Sequence, residues 1–298
     1  MAFELIIACI PAYNEERDLG PVVVKTSKFV DKVIVCDDGS TDLTSEIASR
    51  LGCDLIVHKK RLGKGAALRD LFEKALSIGG EIIITLDGDG QHYPDDIPRL
   101  IAPVLAGTAD IVIGSRFSNK GNSIPLHRAI GNNVMTSFTN LLSSESFKGL
   151  SDSQSGFRAY SRKVLTYVKV SEQGMGVDSE ILISASSGSF NVVEVPISVS
   201  YNGHEGSTLN PVHHSFDVFY SLLRIASEQK PLVYFGLPGV IMILGGLIMG
   251  FRVLSIFLET RSVAIGSAFI SVGLIVIGFL ATTTAVVLQV ILNERKRL

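Results

Sequence analysis

With 27 basic and 29 acidic side chains among 298 residues, the net charge of −2 gives no electrostatic case for a nucleic-acid partner. The mean hydropathy of +0.36 is too high for an ordinary soluble protein, and the excess is local, because Pro231 to Leu292 has only Arg252, Glu259 and Arg261 as charges. Cys9, Cys36 and Cys53 stand far apart in apolar contexts with no CxxC and no paired histidine, which reads as free core thiols in a reducing compartment ahead of a zinc site.

In chain order, Glu4 to Ile10 is the first expected strand. Its apolar part is too short and lacks the basic flank of a signal peptide. Pro11 ends it, and Asn14 is expected to cap a helix that Glu15 and Glu16 begin. Lys32 to Cys36 repeats the pattern and runs into Asp37-Asp38-Gly39-Ser40-Thr41-Asp42, where Ser40, Thr41 or Asp42 is expected to cap a helix up to Leu51. Asp38 is placed to accept hydrogen bonds from a base or a ribose. Asp54 to His58 is a third strand, followed by Arg61-Leu62-Gly63-Lys64-Gly65 and a helix through Leu76; without GxxxxGK[ST] this is not a Walker loop, and Lys64 is a candidate diphosphate contact.

Glu81 to Leu86 is a β-branched strand that ends in Asp87-Gly88-Asp89-Gly90-Gln91-His92. Two carboxylates at i and i+2 on an extended segment share a side, and the glycine between them lets a ligand approach the backbone. Such a pair, with Gln91 as a third oxygen, suits Mg²⁺ or Mn²⁺, completed by water and substrate phosphate. Taken alone, the same residues also read as a turn. Pro94-Asp95-Asp96 opens another helix, and Ile111 to Ile113 leads to Gly114-Ser115-Arg116-Phe117. Strands alternating with helices imply a mostly parallel, doubly wound sheet, and the missing GxGxxG argues against a dinucleotide-dependent dehydrogenase.

The order Pro11-Ala12-Tyr13-Asn14-Glu15, Asp37-Asp38-Gly39-Ser40, Gly63-Lys64-Gly65, Asp87-Gly88-Asp89-Gly90-Gln91 and Gly114-Ser115-Arg116-Phe117 resembles the family 2 glycosyltransferases, especially the branch of dolichyl-phosphate mannose synthase and other polyprenyl-phosphate sugar transferases. Asp152-Ser153-Gln154-Ser155-Gly156-Phe157-Arg158 and Glu194-Val195-Pro196-Ile197 continue the match. The resemblance implies a glycosyltransferase A fold over residues 1–210 and a nucleotide-sugar donor. Pro11, Tyr13, Glu15 and Asp38 then hold the nucleoside, with Lys64, Asp87, Gly88 and Asp89 along the rest of the donor, and Asp87, Asp89 and Gln91 hold the metal. Arg116 reaches the reacting phosphate, and Arg128 and Asn132 bind the phosphate of a polyprenyl (dolichyl) acceptor. Asp89 and Arg116 are the expected catalytic groups, with Asp152 as a base or as the residue that orients Arg116. Arg158 is read as structural. The loop Tyr201 to Thr208 lacks the basic residues that this branch often carries over the donor, and His204 or backbone amides are expected to substitute.

Residues 211–230 carry apolar side chains at helical spacing and read as an interfacial helix. The segments 231–251 and 264–290, within an apolar hairpin spanning 231–293, each reach the ~20 residues that cross a bilayer. A basic tail, 294–298, follows. The basic residues near the ends place the catalytic domain on the cytoplasmic face of the cell membrane, and Gly245, Gly246 and Gly250 permit close helix approach within the hairpin or in a homo-oligomer. The expected reaction is metal-dependent, inverting hexose transfer to a polyprenyl phosphate. A UDP-hexose or UDP-N-acetylhexosamine is favoured over GDP-mannose by the QSGFRAY version of the motif and by the two-helix anchor. The competing readings are a glycan-elongating enzyme acting on a hydroxyl and a non-catalytic membrane scaffold.

Overall fold

The computed structural model describes residues 4–117, 126–144, 147–171, 174, 176–200, 231–262 and 264–295. Contacts divide the chain into two units, residues 1–221 and 222–298. The expected interfacial helix at 211–230, the loop 201–208 and the last three residues of the tail lie outside the described residues.

In the first unit, β1 (Ile6–Ala12), β2 (Lys32–Asp37), β3 (Asp54–Val57), β4 (Ile82–Thr85), β5 (Ile111–Ser115), β6 (Arg158–Ser161) and β7 (Val192–Pro196) form one sheet. Its order is β3-β2-β1-β4-β6-β5-β7. All pairings are parallel except those of β6, which runs antiparallel between β4 and β5. Both faces are buried, so the strands are apolar throughout, and the two-residue period sorts them into two layers. Ile7, Cys9, Ile34 and Ile83 pack with Leu68, Leu71 and Phe72 of α3 (Lys64–Ser77) on one face. On the other, Ala8, Ile10, Val35 and Ile84 meet Leu19 and Val22 of α1 (Leu19–Thr26) and Leu100 of α4 (Ile97–Leu105).

Three local expectations change. The first strand starts at Ile6 and continues through Pro11, which pairs with Cys36 of β2. On its other side the β4 pairing has already ended at Cys9, so the missing N–H of proline breaks no ladder bond there. The helix after it begins only at Leu19. Asn14 does not cap it; it adopts φ 56, and its Oδ1 accepts the Thr41 amide at 2.9 Å. None of the three candidates occupies the N-cap of α2 (Thr44–Arg50), which is Leu43; Asp42, one residue earlier, accepts the Thr44 amide at 3.0 Å. The strand β6 has no counterpart in the sequence reading, because its four residues, Arg-Ala-Tyr-Ser, show neither an apolar run nor clean alternation.

The remaining helices of this unit are α5 (Leu126–Leu142), α6 (Arg162–Tyr167) and α7 (Val177–Ser186). The second unit is a π-helical turn, Leu232–Gly236, leading into α8 (Leu237–Thr260), and then α9 (Ile265–Arg295). Arg261, at φ 53, closes the first helix by donating its amide to Phe257 O at 2.9 Å. Both helices outrun the expected 231–251 and 264–290; the apolar stretches Leu232–Thr260 and Ile265–Asn293, 29 residues each, are long enough to cross a membrane. The helices meet through glycines: a Cβ on Gly246 would lie 2.7 Å from Ile275 Cγ1, and one on Gly239 would lie 2.5 Å from Thr282 Oγ1. Ser271 Oγ donates to Gly246 O at 2.8 Å across this seam. Gly245, by contrast, has nothing within reach.

Candidate active site

Because β1, β2 and β4 are parallel and β5 runs the same way, their carboxyl ends share one sheet edge, where open α/β sheets bind ligands. The first two loops are laced together there. The amides of Asn14, Glu15 and Glu16 donate to Ser40 Oγ, Thr44 Oγ1 and Asp42 Oδ2 at 2.9, 2.8 and 3.1 Å. Tyr13 lies beneath the Arg61 guanidinium, 4.3 Å from its ring centroid. Asp38 is buried with both oxygens engaged: Oδ1 accepts from His58 Nδ1 at 2.7 Å and Leu62 N at 2.8 Å, and Oδ2 accepts from Gly63 N at 2.8 Å. It therefore shapes the loop that leads to Lys64.

The Asp87-Asp89 stretch is a turn, not an extended segment. Gly88 packs against the first loop, where a Cβ would lie 3.4 Å from Ala12 Cβ and 3.6 Å from Glu15 Cγ, and Gly90, at φ 70, faces Asp18. Asp89 Oδ1 accepts the Gln91 amide at 3.0 Å. Lys64 Nζ sits 2.9 Å from Asp87 Oδ1 and 3.2 Å from Asp178 Oδ2. Burial opposes the charge on this lysine, yet the two aspartates overcome it and raise its pKa. Burial likewise acts to raise Asp87, but Lys64 prevails and holds the carboxyl below its ordinary value. At Asp89 burial and the neighbouring Asp87 outweigh the Gln91 amide and the charge of Lys64, and push the carboxyl up to about 6. Burial, then Asp89, Asp18 and Asp87, raise Glu15 to about 7.

Crowded, desolvated carboxylates short of positive charge fit a hard divalent cation. Among the described residues no three His, Cys, Asp or Glu side chains group into a metal cage.

On the same edge, Arg116 is held by Asp152. Its backbone N and Nε donate to Oδ2 at 3.0 and 2.8 Å, and Nη2 donates to Oδ1 at 2.7 Å and to Asn132 Oδ1 at 3.2 Å. Asp152 is fully buried, and Glu194 of β7 anchors its segment by accepting the Ser151 and Asp152 amides, both at 2.9 Å.

Residues 7–168 match the family described as Glycosyl transferase family 2. The chain belongs to glycosyltransferase family 2. This glycosyltransferase is 33% identical over 247 residues to the UDP-N-acetylglucosamine–dolichyl-phosphate N-acetylglucosaminyltransferase of Methanococcus voltae, an alignment covering 76% of this chain and 97% of the relative. It is 31% identical over 204 residues to the polyprenol monophosphomannose synthase of Mycolicibacterium smegmatis, covering 64% and 76%. In structure it resembles the glucosyl-3-phosphoglycerate synthase of Mycobacterium tuberculosis solved with Mn²⁺, UDP and phosphoglyceric acid. The TM-score is 0.60 at 25% identity, over 75% of this chain and 79% of that one. The fold is therefore of the glycosyltransferase A type.

Of the residues singled out by the sequence of this glycosyltransferase, the fold gathers Pro11, Tyr13, Glu15, Asp38, Lys64, Asp87, Gly88, Asp89 and Gln91 on the edge formed by β1, β2 and β4. Arg116, Asn132 and Asp152 form the cluster beside β5. Arg128 lies on α5, with its side chain outside the described residues. Four participants escaped the sequence reading: Asp178, Glu194 as a side chain, His58 and Asp70. Asp178 opens α7 at a position where an acidic residue reads as ordinary dipole chemistry. Glu194 was visible only as part of a motif. Arg158, fully buried, has the structural role expected of it, donating to the carbonyls of Ser153, Ser155 and Asp178 at 2.7, 2.8 and 2.9 Å and so shaping the loop after Asp152.

Proposed function

We propose that this glycosyltransferase transfers a hexose from a nucleotide sugar to a polyprenyl phosphate at the cytoplasmic face of the membrane. The observation that carries the reading is the Arg116-Asp152 pair. A hydroxyl acceptor needs a base, but the candidate base is buried and accepts three hydrogen bonds from Arg116. A phosphate monoester, with a second pKa of ~6, is already ionised at neutral pH and needs no base. It needs a rigid cation, which a guanidinium fixed by a buried carboxylate supplies.

The acceptor oxygen attacks the anomeric carbon as the bond from that carbon to the diphosphate oxygen breaks, and a single displacement inverts the centre. Arg116, with Asn132 and Arg128, orients the acceptor phosphate, and Tyr13, Glu15 and Lys64 hold the donor. Asp87 and Asp89, with Gln91, would hold Mg²⁺ or Mn²⁺, which when bound neutralises charge on the departing diphosphate.

A UDP-hexose or UDP-N-acetylhexosamine is favoured over GDP-mannose. The name of the Methanococcus voltae relative and the UDP in the Mycobacterium tuberculosis structure support this, while the mannose synthase relative speaks for the rival donor. Two membrane-length helices support a lipid acceptor. Arg224, Lys230, Arg295, Lys296 and Arg297 outnumber Arg252 and Arg261 of the connecting loop, a bias that supports a cytoplasmic catalytic domain.

The test is transfer of radiolabelled sugar from UDP- and GDP-sugars to a polyprenyl phosphate by the detergent-solubilised chain. An organic-extractable product that disappears with EDTA and with Asp89→Ala is expected. Absence of product from folded protein with every donor, or transfer only to a glycan hydroxyl, overturns the reading.

A further inference from the structure

His58 directly follows β3 as a buried side chain, and both of its ring nitrogens face carboxylates: Nδ1 lies 2.7 Å from Asp38 Oδ1 and Nε2 lies 3.0 Å from Asp70 Oδ2. A carboxylate only accepts, so both nitrogens must donate, which a neutral imidazole cannot do. The geometry is that of an imidazolium bridge. Around it, β2 contributes Cys36, whose Sγ lies 3.6 Å from Nε2, together with Asp38 just beyond the strand, and α3 contributes Asp70, itself backed by Arg69 Nε at 3.1 Å. The cluster holds one buried cation against two acids, and although burial disfavours the charge, the hydrogen bonds that His58 donates to Asp38 and Asp70 raise its pKa.

What this bridge holds in place is the loop at the donor edge. The Asp38 carboxylate that accepts a hydrogen bond from His58 Nδ1 also accepts those of the Leu62 and Gly63 amides. Gly63, at φ 102, is the last residue before α3, which starts at Lys64, the partner of Asp87. Arg61, in the middle of the loop, covers Tyr13. Asp70 fastens the same histidine to α3 one and a half turns further on. Without its ring proton, one nitrogen presents a lone pair to a carboxylate, and one of the two ties is lost.

We propose that His58 is a positioning residue for the nucleotide: as an imidazolium between Asp38 and Asp70 it holds residues 59–63 in the conformation that seats Arg61 over Tyr13 and Lys64 beside Asp87. Loss of its proton then weakens nucleoside-diphosphate binding without slowing the chemical step. This rests on the reading of that edge as the donor site. The sign separates it from the site carboxylates, whose protonation weakens binding as pH falls, whereas His58 weakens it as pH rises.

The test is calorimetric titration of UDP, with GDP in parallel, into the full-length detergent-solubilised protein with Mg²⁺, between about pH 6 and about pH 9. Wild-type affinity is expected to fall towards alkaline pH by up to about tenfold per pH unit, the slope of one linked proton. Asp70→Asn, at a partly exposed position compatible with folding, moves that fall to lower pH. His58→Gln binds weakly with a flattened profile, raising KM for the donor while kcat at saturation stays near wild type. A wild-type affinity that does not fall with pH, or an Asp70→Asn profile superimposed on wild type, overturns the proposal. Binding with this pH pattern in a protein that transfers no sugar upholds it and sinks the transfer reading; active transfer with pH-independent binding does the reverse.

Discussion

At the scale of single residues, the donor edge depends on where a side chain is absent. A Cβ on Gly156 would lie 2.6 Å from Asp87 Oδ2 and 2.8 Å from Lys64 Nζ, inside the ion pair at the start of the proposed metal-binding stretch. Gly156→Ala is expected to displace Asp87 and weaken Mn²⁺-dependent nucleotide binding at least about tenfold, as tight catalytic geometry demands. The overpacking costs about 1–3 kcal/mol in stability. Calorimetry and a denaturation curve on the same sample separate the two effects, and unchanged binding would refute this account of the motif. The residue types in the motifs were legible in the sequence, whereas their partners were not. Nothing near Lys64 in the chain announces Asp178, and nothing near Asp152 announces Arg116 and Glu194, because these pairs form only when the sheet brings distant segments to one edge.

At the scale of elements, the apolar hairpin is held by small residues and by one buried hydroxyl. Gly246 faces Ser271 and Ile275 of α9, with a Cβ position 2.9 Å from Ser271 O. Gly246→Leu is expected to part α8 from α9 and lower stability in detergent by about 1–3 kcal/mol, whereas Gly245→Leu, with nothing near its Cβ position, leaves the melting midpoint unchanged. Thermal melts of the two variants side by side check this; equal effects would remove the packing argument. The sequence marked Gly245, Gly246 and Gly250 together, since helical spacing alone does not say which face meets the neighbour.

At the scale of the whole molecule, the raised carboxyls at the proposed donor edge would couple metal binding to pH and stability. Asp89 and Glu15 have pKa values raised to about 6 and about 7, first by burial and then by neighbouring carboxylates. A carboxyl raised in the folded state contributes stability that is present below its unfolded value and lost as pH rises through the folded one. The metal-free protein is therefore expected to lose stability as pH rises from about 4 to about 7, and a divalent cation, by pairing with the ionised groups, restores it. The rise in melting temperature on adding Mn²⁺ should be larger above about pH 7 than below about pH 5. A metal-induced shift independent of pH, measured by scanning calorimetry, would contradict it.

The sequence alone determined the alternation of buried strands with helices, the carboxylate-bearing loops at the strand ends and the two membrane-length helices. Each of these is written in local periodicity, and burial reads periodicity directly. Tertiary structure decided what the charged residues do. It inserted Arg158–Ser161 antiparallel between β4 and β5, turned Asp38 towards His58, Leu62 and Gly63, set Lys64 between Asp87 and Asp178, and committed Asp152 to Arg116. The physical reason is that the hydrogen-bonding and ionic partners of a buried polar group are chosen by proximity in space and by the need to leave none unpaired, and a pattern along the chain encodes neither.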